Sequence, residues 1–194
     1  MARYDSTKRR APDITAAALE KAALRYLERF AASSEQLRRV LTRRVKRAAA
    51  LAENTEPGEA AGRIETIITR FLAAGLLNDR AFAEAQAASL RRRGGSRRHI
   101  KHRLAAKGIP GEMVDDALIA LDEEMGSGDL AAACALARRR RLGPYRAPAT
   151  RELHRQKDLA TFARAGFSLD IARRILAAPD IDALEKIQRE LDIL

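Results

Sequence analysis

The chain has 194 residues, 46% of them apolar and 32% charged, which excludes a disordered polypeptide and leaves one domain, two small ones, or an array of small units. An aromatic share of 4% and the absence of Trp favour thin helix-on-helix packing over a thick sheet core. Lys and Arg number 37 against 26 Asp and Glu, a net +11, and the simplest cause of such an excess is a polyanionic partner: DNA, RNA or a nucleoprotein. A GC-rich genome, which enriches Arg and Ala codons, accounts for part of the same excess, and an acidic protein surface is a further possible target.

The single cysteine, Cys134, cannot form an internal disulfide, so a cytoplasmic, reducing setting is expected. No run of ~18 apolar residues is present, so no membrane span is expected. The N-terminus, MARYDSTKRRAPD, lacks the apolar core of a secretory signal and reads as a disordered basic arm over residues 1–12.

Helical spacing runs through almost every segment, and no convincing alternating strand is found. Pro12-Asp13 opens a first helix with Leu19, Ala23, Tyr26, Leu27 and Phe30 on one stripe. Ser33 and Gln36 form a capping-box pattern. The helix that follows places Leu37, Val40, Leu41, Val45 and Ala48 inward. Asn54 to Gly58 interrupts the period, and Pro57 suits a helix start. A third helix buries Ile64, Ile67, Ile68, Phe71 and Leu72 and ends at Gly75. Asn78 or Asp79 caps the fourth, which carries Phe82, Ala85, Ser89 and Leu90 up to Gly94-Gly95.

Ser96 starts the fifth helix, with Ile100 and Leu104 inward and Gly108 closing it. Pro110 opens the sixth, with Val114, Ala117, Leu118 and Leu121 inward, and Gly126-Ser127-Gly128 breaks the chain. The seventh holds Leu130, Ala133, Cys134 and Ala137. An eighth carries Leu153, Leu159, Phe162 and Ala163 up to Gly166. Ser168 caps a ninth bearing Ile171 and Ile175. Asp180 caps a last helix bearing Ile181, Leu184, Gln188 and Leu191.

Shifted by 58 residues, the distance from Gly108 to Gly166, the chain matches itself. Leu104 falls on Phe162, Ile109 on Phe167, Pro110 on Ser168, Met113 on Ile171, Ala117 on Ile175 and Leu118 on Leu176. The expected fold is therefore all-α: three tandem three-helix repeats over 13–75, 76–125 and 127–178, plus a C-terminal helix over 179–194. Small units of this kind stabilise one another by stacking, which predicts an elongated, curved, right-handed or solenoid-like array with long faces.

No catalytic constellation emerges. His99 and His102 stand at i, i+3, a spacing zinc sites use, but no cysteine or carboxylate accompanies them. Asp115-Asp116 and Glu123-Glu124 read as solvated charge. No phosphate loop, nucleophile elbow or zinc-protease motif occurs. The expectation is a non-enzyme without metal or cofactor.

Three basic clusters are the candidate binding residues. The first is Arg38, Arg39, Arg43 and Arg44. The second is Arg91, Arg92, Arg93, Arg97, Arg98, Lys101, Arg103 and Lys107, a run without a single acid, with the helix start at Ser96, itself an anion site, in its midst. The third is Arg138, Arg139, Arg140 and Arg141, with Arg146, Arg151 and Arg155 beyond. Each cluster alone is also what a solvated helix face looks like; together they bind polyanions if they share a face. Few aromatics interleave, so any nucleic-acid binding is expected to be weakly sequence-specific and salt-dependent. A helix-turn-helix reader over 96–121 is disfavoured, because its second helix carries Glu112, Asp115, Asp116, Asp122, Glu123 and Glu124 and phosphate would repel it.

The segment GLLNDRAFA, followed by RRRGGSRRHIKHRLAAKGI, closely resembles the RecX family, regulators of the bacterial RecA recombinase. Gly75, Leu77, Asp79, Phe82, Ala83, Gly94 or Gly95, Leu104, Lys107, Gly108 and Ile109 fit the family's pattern. Leu76 stands where an aromatic is common, and Asn78 where the first acid is. The match is strongest from Leu24 to Leu121. The resemblance implies a three-repeat helical monomer without catalytic residues. It would lodge in the groove of the RecA–DNA filament, modulate and typically inhibit ATP hydrolysis and strand exchange, and act in DNA repair, recombination and the SOS response. The alternative is a helical protein that binds single- and double-stranded DNA or RNA through phosphate alone.

Overall fold

A computed structural model describes residues 11–51, 57–125 and 128–191. Most of the expected arm, part of the interruption around Asn54 and the Gly126-Ser127 break lie outside the described residues. Among the described residues there are ten α-helices and two short 3-10 turns, with no strand. No helix there is long and apolar enough to cross a membrane. The chain divides into two compact units, up to Phe82 and from Ala83 onward.

The first unit holds α1 (Ala16–Leu27), α2 (Ser34–Ala49) and α3 (Pro57–Ala73). The capping box at Ser33 is present: its Oγ accepts from the Gln36 amide while the Gln36 side chain accepts from the Ser33 amide. Leu19, Leu37, Leu41 and Ile68 are buried at the centre, with Ile64, Ile67 and Phe71 on the same stripe of α3. Three inward assignments fail. Phe30 is 52% exposed, because α1 ends at Leu27 and the stripe cannot extend to it; its ring leans on Tyr26 instead, 5.2 Å between centroids. Leu72 is exposed, one residue and about 100° round the helix from the buried Phe71. Val40 is only half-buried.

The choice between Asn78 and Asp79 as cap of α4 (Asp79–Arg92) is resolved by a division of labour. Asn78 Oδ1 accepts from the Ala81 amide at 2.9 Å and caps α4. The Asp79 carboxylate reaches the other way, accepting from the Ser34 amide at 2.7 Å and from Ser34 Oγ at 2.5 Å. It satisfies an orphan donor in the first turn of α2, where a negative charge is also favoured.

The second unit contains α5 (Arg97–Ala105), α6 (Gly111–Met125), α7 (Gly128–Arg140), α8 (Arg151–Arg164), α9 (Leu169–Ala177) and α10 (Ile181–Leu191), and the greater part of α4. The repeated sequence is a repeated structure. Gly108 and Gly166 both take the left-handed conformation, φ 78° and 84°. Beyond each, an apolar residue folds back: the Ile109 amide donates to Leu104 O at 3.2 Å, and the Phe167 amide to Phe162 O at 3.1 Å. All four of those apolar residues are buried. Helix, left-handed stop, apolar return and new helix form one unit of chain geometry. Leu118 is buried, whereas its counterpart Leu176 is half-buried.

Several positions depart from the expected pattern. Leu153 is 83% exposed, since it lies in the first turn of α8, which faces solvent. Ala85 and Ala163 are exposed, while Ala83 and Ala87 supply the inner face of α4. Ile181 is exposed and Leu184 buried; the side chains of Gln188 and Leu191 fall outside those described. The inner face of α8 also holds an acid. Asp158, 1% exposed, accepts from the Gly143 amide at 3.0 Å and from two Arg146 nitrogens at 2.9 and 2.8 Å. It pins the turn over Gly143–Tyr145 to α8.

Leu104→Ala is expected to lower stability by about 2–5 kcal/mol, as removal of a fully buried leucine does. Gly166→Ala should cost about 1–3 kcal/mol for its forced positive φ. Thermal unfolding monitored by helical circular dichroism reads both; an unchanged melt for Leu104→Ala would show that its burial carries no weight.

Candidate polyanion-binding groove

The second unit contains an open groove of about 630 Å³. Its floor is Leu90, Gly94, Gly95, His99 and Leu136, and its rim is Arg93, Arg139, Arg140, Lys157 and Arg164. No acid lines it. The cations come from the end of α4, the last turn of α7 and one stripe of α8, where Lys157, Thr161 and Arg164 recur at i, i+4 and i+7. All five are exposed. Among the described residues Arg93, Arg139, Arg140 and Lys157 have no side-chain partner, while Arg164 reaches Thr161 Oγ1 at 3.4 Å. A second recess of about 260 Å³ continues from it past His99 and Arg164 to Arg98 and His102.

Two glycines let the walls close. A Cβ on Gly94 would lie 2.8 Å from both Ala132 O and Leu136 N, so only glycine lets the end of α4 press against α7. A Cβ on Gly166 would lie 2.6 Å from Ser96 Oγ. Ser96 is itself buried and stitches the seam: its Oγ donates to Ala165 O at 2.7 Å and accepts from the His99 amide at 3.0 Å. His99 is held below the ordinary histidine range by burial first, then by the charges of Arg103 and His102. At pH 7 it is therefore neutral, on the floor of a cationic groove.

The groove unites members of two clusters expected from the sequence, Arg93 with Arg139 and Arg140, and places Arg98 in its extension. Lys157 and Arg164 were missed. Their signal was the basic stripe on α8, visible only once the helix start at Arg151 sets the phase.

Other expected site residues are engaged within the chain. Arg91 is 5% exposed and lies inside the fold, pairing with Asp122 and with Asp129 at 2.9 Å each. Arg97 also pairs with Asp122, and its amide donates to Asp129 at 2.7 Å. The anion site expected at the start of α5 is thus occupied by the protein's own carboxylates, because α6 and α7 bring acids to it that are remote in sequence. Lys101 is paired with Asp115. Arg38 bridges Glu35 and Glu65, and Arg39 binds Glu35. Hydrogen bonds from Arg38, then from Arg39, prevail over burial and hold the Glu35 carboxyl below its usual range. Arg44 donates to Asp13 O. Of the first cluster, Arg43 stays exposed beside Glu35 in a shallow recess with Lys46, so that surface is largely compensated.

Arg92 and Arg138 line a separate recess with Arg139, Tyr145 and Glu185. Arg103 and Arg141 are exposed and Lys107 half-buried, away from the groove lining. Among the described residues no group of three or more His, Cys, Asp or Glu side chains comes together that could hold a metal ion. Cys134 is buried, its thiol pushed up to about 11 by burial.

These features define an all-helical protein of repeated helix–glycine–helix elements with a cationic groove. The chain belongs to the RecX family. A family model described as RecX, second three-helix domain, matches residues 78–118. The chain is 43% identical over 177 residues to the regulatory protein RecX of Myxococcus xanthus, covering 89% of this chain and 93% of that one. It is 32% identical to the regulatory protein RecX of Agrobacterium fabrum, over 80% of this chain and 79% of that one. The crystal structure of RecX from Lactobacillus salivarius has the same fold, with a TM-score of 0.53 at 20% identity over 92% of this chain and 97% of that one.

Arg91→Ala should destabilise the protein by about 1–3 kcal/mol, since it takes one partner from two half-buried carboxylates that then keep only Arg97, whereas Arg93→Ala should stay within about 0.5 kcal/mol; parallel urea melts test the contrast. Asp158 adds a pH signature. Burial alone would raise its carboxyl, but the Arg146 and Gly143 hydrogen bonds outweigh that and hold it below the usual range. Its contribution is complete above the unfolded carboxylate pKa and is lost as pH falls through the lower folded value. Asp158→Asn should therefore show a shallower acid limb in stability against pH, and an identical limb would remove Asp158 from the account.

Proposed function

We propose that this chain is a non-catalytic regulator of RecA recombinase that binds in the groove of the RecA–DNA filament and inhibits its ATP hydrolysis and strand exchange. Family membership over most of the chain carries this reading, and the cationic groove supports it, because a nucleoprotein filament offers phosphate and acidic protein surface together. In this reading the protein works as a monomer in the cytoplasm, in DNA repair, recombination and the SOS response, and uses no metal or cofactor. The division into repeats at 13–75, 76–125 and 127–178 belongs to the same proposal.

The contacting residues proposed from the groove are Arg93, Arg98, Arg139, Arg140, Lys157 and Arg164. Exposed Arg43, Arg92, Arg103, Arg138 and Arg141 provide a more diffuse attraction. A helical protein that binds nucleic acid through phosphate alone is the second reading, favoured by the same groove if the recombinase is dispensable.

The two readings separate at a salt concentration that abolishes binding to bare DNA. The filament regulator should still suppress the cognate recombinase's DNA-dependent ATPase there, and Arg93→Glu with Arg139→Glu and Arg140→Glu should weaken that suppression about tenfold or more without changing the melt. No effect of saturating wild-type protein on the ATPase would sink the proposal.

A further inference from the structure

The 630 Å³ groove of the second unit contains one group that does not fit a purely electrostatic surface. His99 is half-buried on its floor and neutral at pH 7, yet cations face it from every element around it. Arg93 faces it from the end of α4. Arg139 and Arg140 do so from α7, and Lys157 and Arg164 from α8. Arg98, His102 and Arg103 stand on its own helix. No acid lines either recess.

We propose that this groove seats the phosphodiester backbone of a single nucleic-acid strand, with His99 on the floor making a proton-linked contact to a phosphate. The inference rests on the groove being the contact surface of the proposed function, and names the part of a nucleoprotein it takes.

Three observations favour this occupant. The site is concave, with its cations on the rim and a floor of glycine, leucine and one imidazole. A duplex is instead read by elements that project into its grooves, and a cleft walled by helix ends admits a chain more readily than a duplex. The lining contains no Phe, Tyr or Trp, so bases have no extended stacking platform and binding has little sequence preference. An acidic peptide would need apolar anchor pockets or a free backbone edge to be held in register, and the groove, lined by helices, offers neither beyond Leu90 and Leu136.

The proton linkage follows from charge. In the free protein, burial and the neighbouring charges of Arg103 and His102 keep His99 neutral. A phosphate arriving between the rim cations reverses the local field and favours the imidazolium. Binding then takes up a proton, so affinity rises as pH falls. The gain reaches about tenfold for each unit by which the His99 pKa rises on binding. The stitch from Ser96 Oγ to the His99 amide fixes the backbone that aims the ring.

The test is fluorescence anisotropy of a labelled oligothymidylate with the full-length protein, without any recombinase. At pH 7.5 the logarithm of affinity should fall linearly with that of salt. Arg139→Ala, Arg140→Ala and Lys157→Ala combined should flatten the slope by about 2, as expected for three lost contacts to a single strand. Lowering the pH to 5.5 should tighten binding several-fold in wild type and in His102→Gln, and this gain should vanish in His99→Gln, whose melt is measured alongside. An unchanged salt slope in the triple variant overturns the seat, as does a polyglutamate of equal charge competing as well as unlabelled oligothymidylate. Persistence of the pH gain in folded His99→Gln overturns the role of His99. Each failure would leave the ATPase assay of the proposed function free to succeed by itself.

Discussion

Two carboxylates hold the second unit together. Asp122 at the end of α6 and Asp129 at the start of α7 receive the guanidinium of Arg91 from α4, and from the start of α5 the guanidinium and amide of Arg97. Four helix ends meet at one charge cluster. Burying a cation as deeply as Arg91 is unfavourable unless partners compensate it. Compensation requires all four segments to be in place, so the cluster specifies their mutual arrangement even where its net contribution to stability is small.

The groove follows from the junction and from two close approaches. With Arg91 turned inward and the next two arginines of the same run exposed, the end of α4 lies against α7 at a distance only Gly94 permits. Ser96 and Gly166 close the other seam. Between the seams lies a trough whose rim can only be side chains from the ends of α4 and α7 and one face of α8, and those side chains are Arg and Lys. The last turn of α7 is where cations are favoured in any case, because unsatisfied carbonyls end the helix there. Local helix physics and a site for anions therefore ask for the same residues.

The distribution of charge also explains why a count of arginines misleads. Arg38, Arg39, Arg91 and Arg97 are all committed to acids within the chain. The run from Arg91 to Lys107 contains no acid, and it looked wholly available to a partner. Its acids were supplied from residues 115, 122 and 129, one or two helices further on. Conversely, Lys157 and Arg164 stand in an unremarkable helix that also carries the buried Asp158 and Phe162, and became rim residues because the end of α8 meets the start of α5 at Ser96.

The sequence by itself determined the helices, most of their caps, the glycine stops and the repeat of residues 104–118 in 162–176. These are local: an N-cap serine, a left-handed glycine and an apolar period act within a turn or two of chain, and their signatures lie in adjacent residues. The family, too, was legible in a contiguous stretch. Tertiary structure alone decided which cations face outward, which acids neutralise the others, and which two clusters share a groove. Those outcomes depend on the phase at which each helix packs and on contacts 25 to 69 residues apart in the chain. One residue along a helix, as from Phe71 to Leu72, moves a side chain about 100° and turns an inward position outward. For the same reason the run from Gly75 to Ile109 proved to be both a structural junction, through Arg91 and Arg97, and part of a groove, with Arg93 on its rim and His99 on its floor.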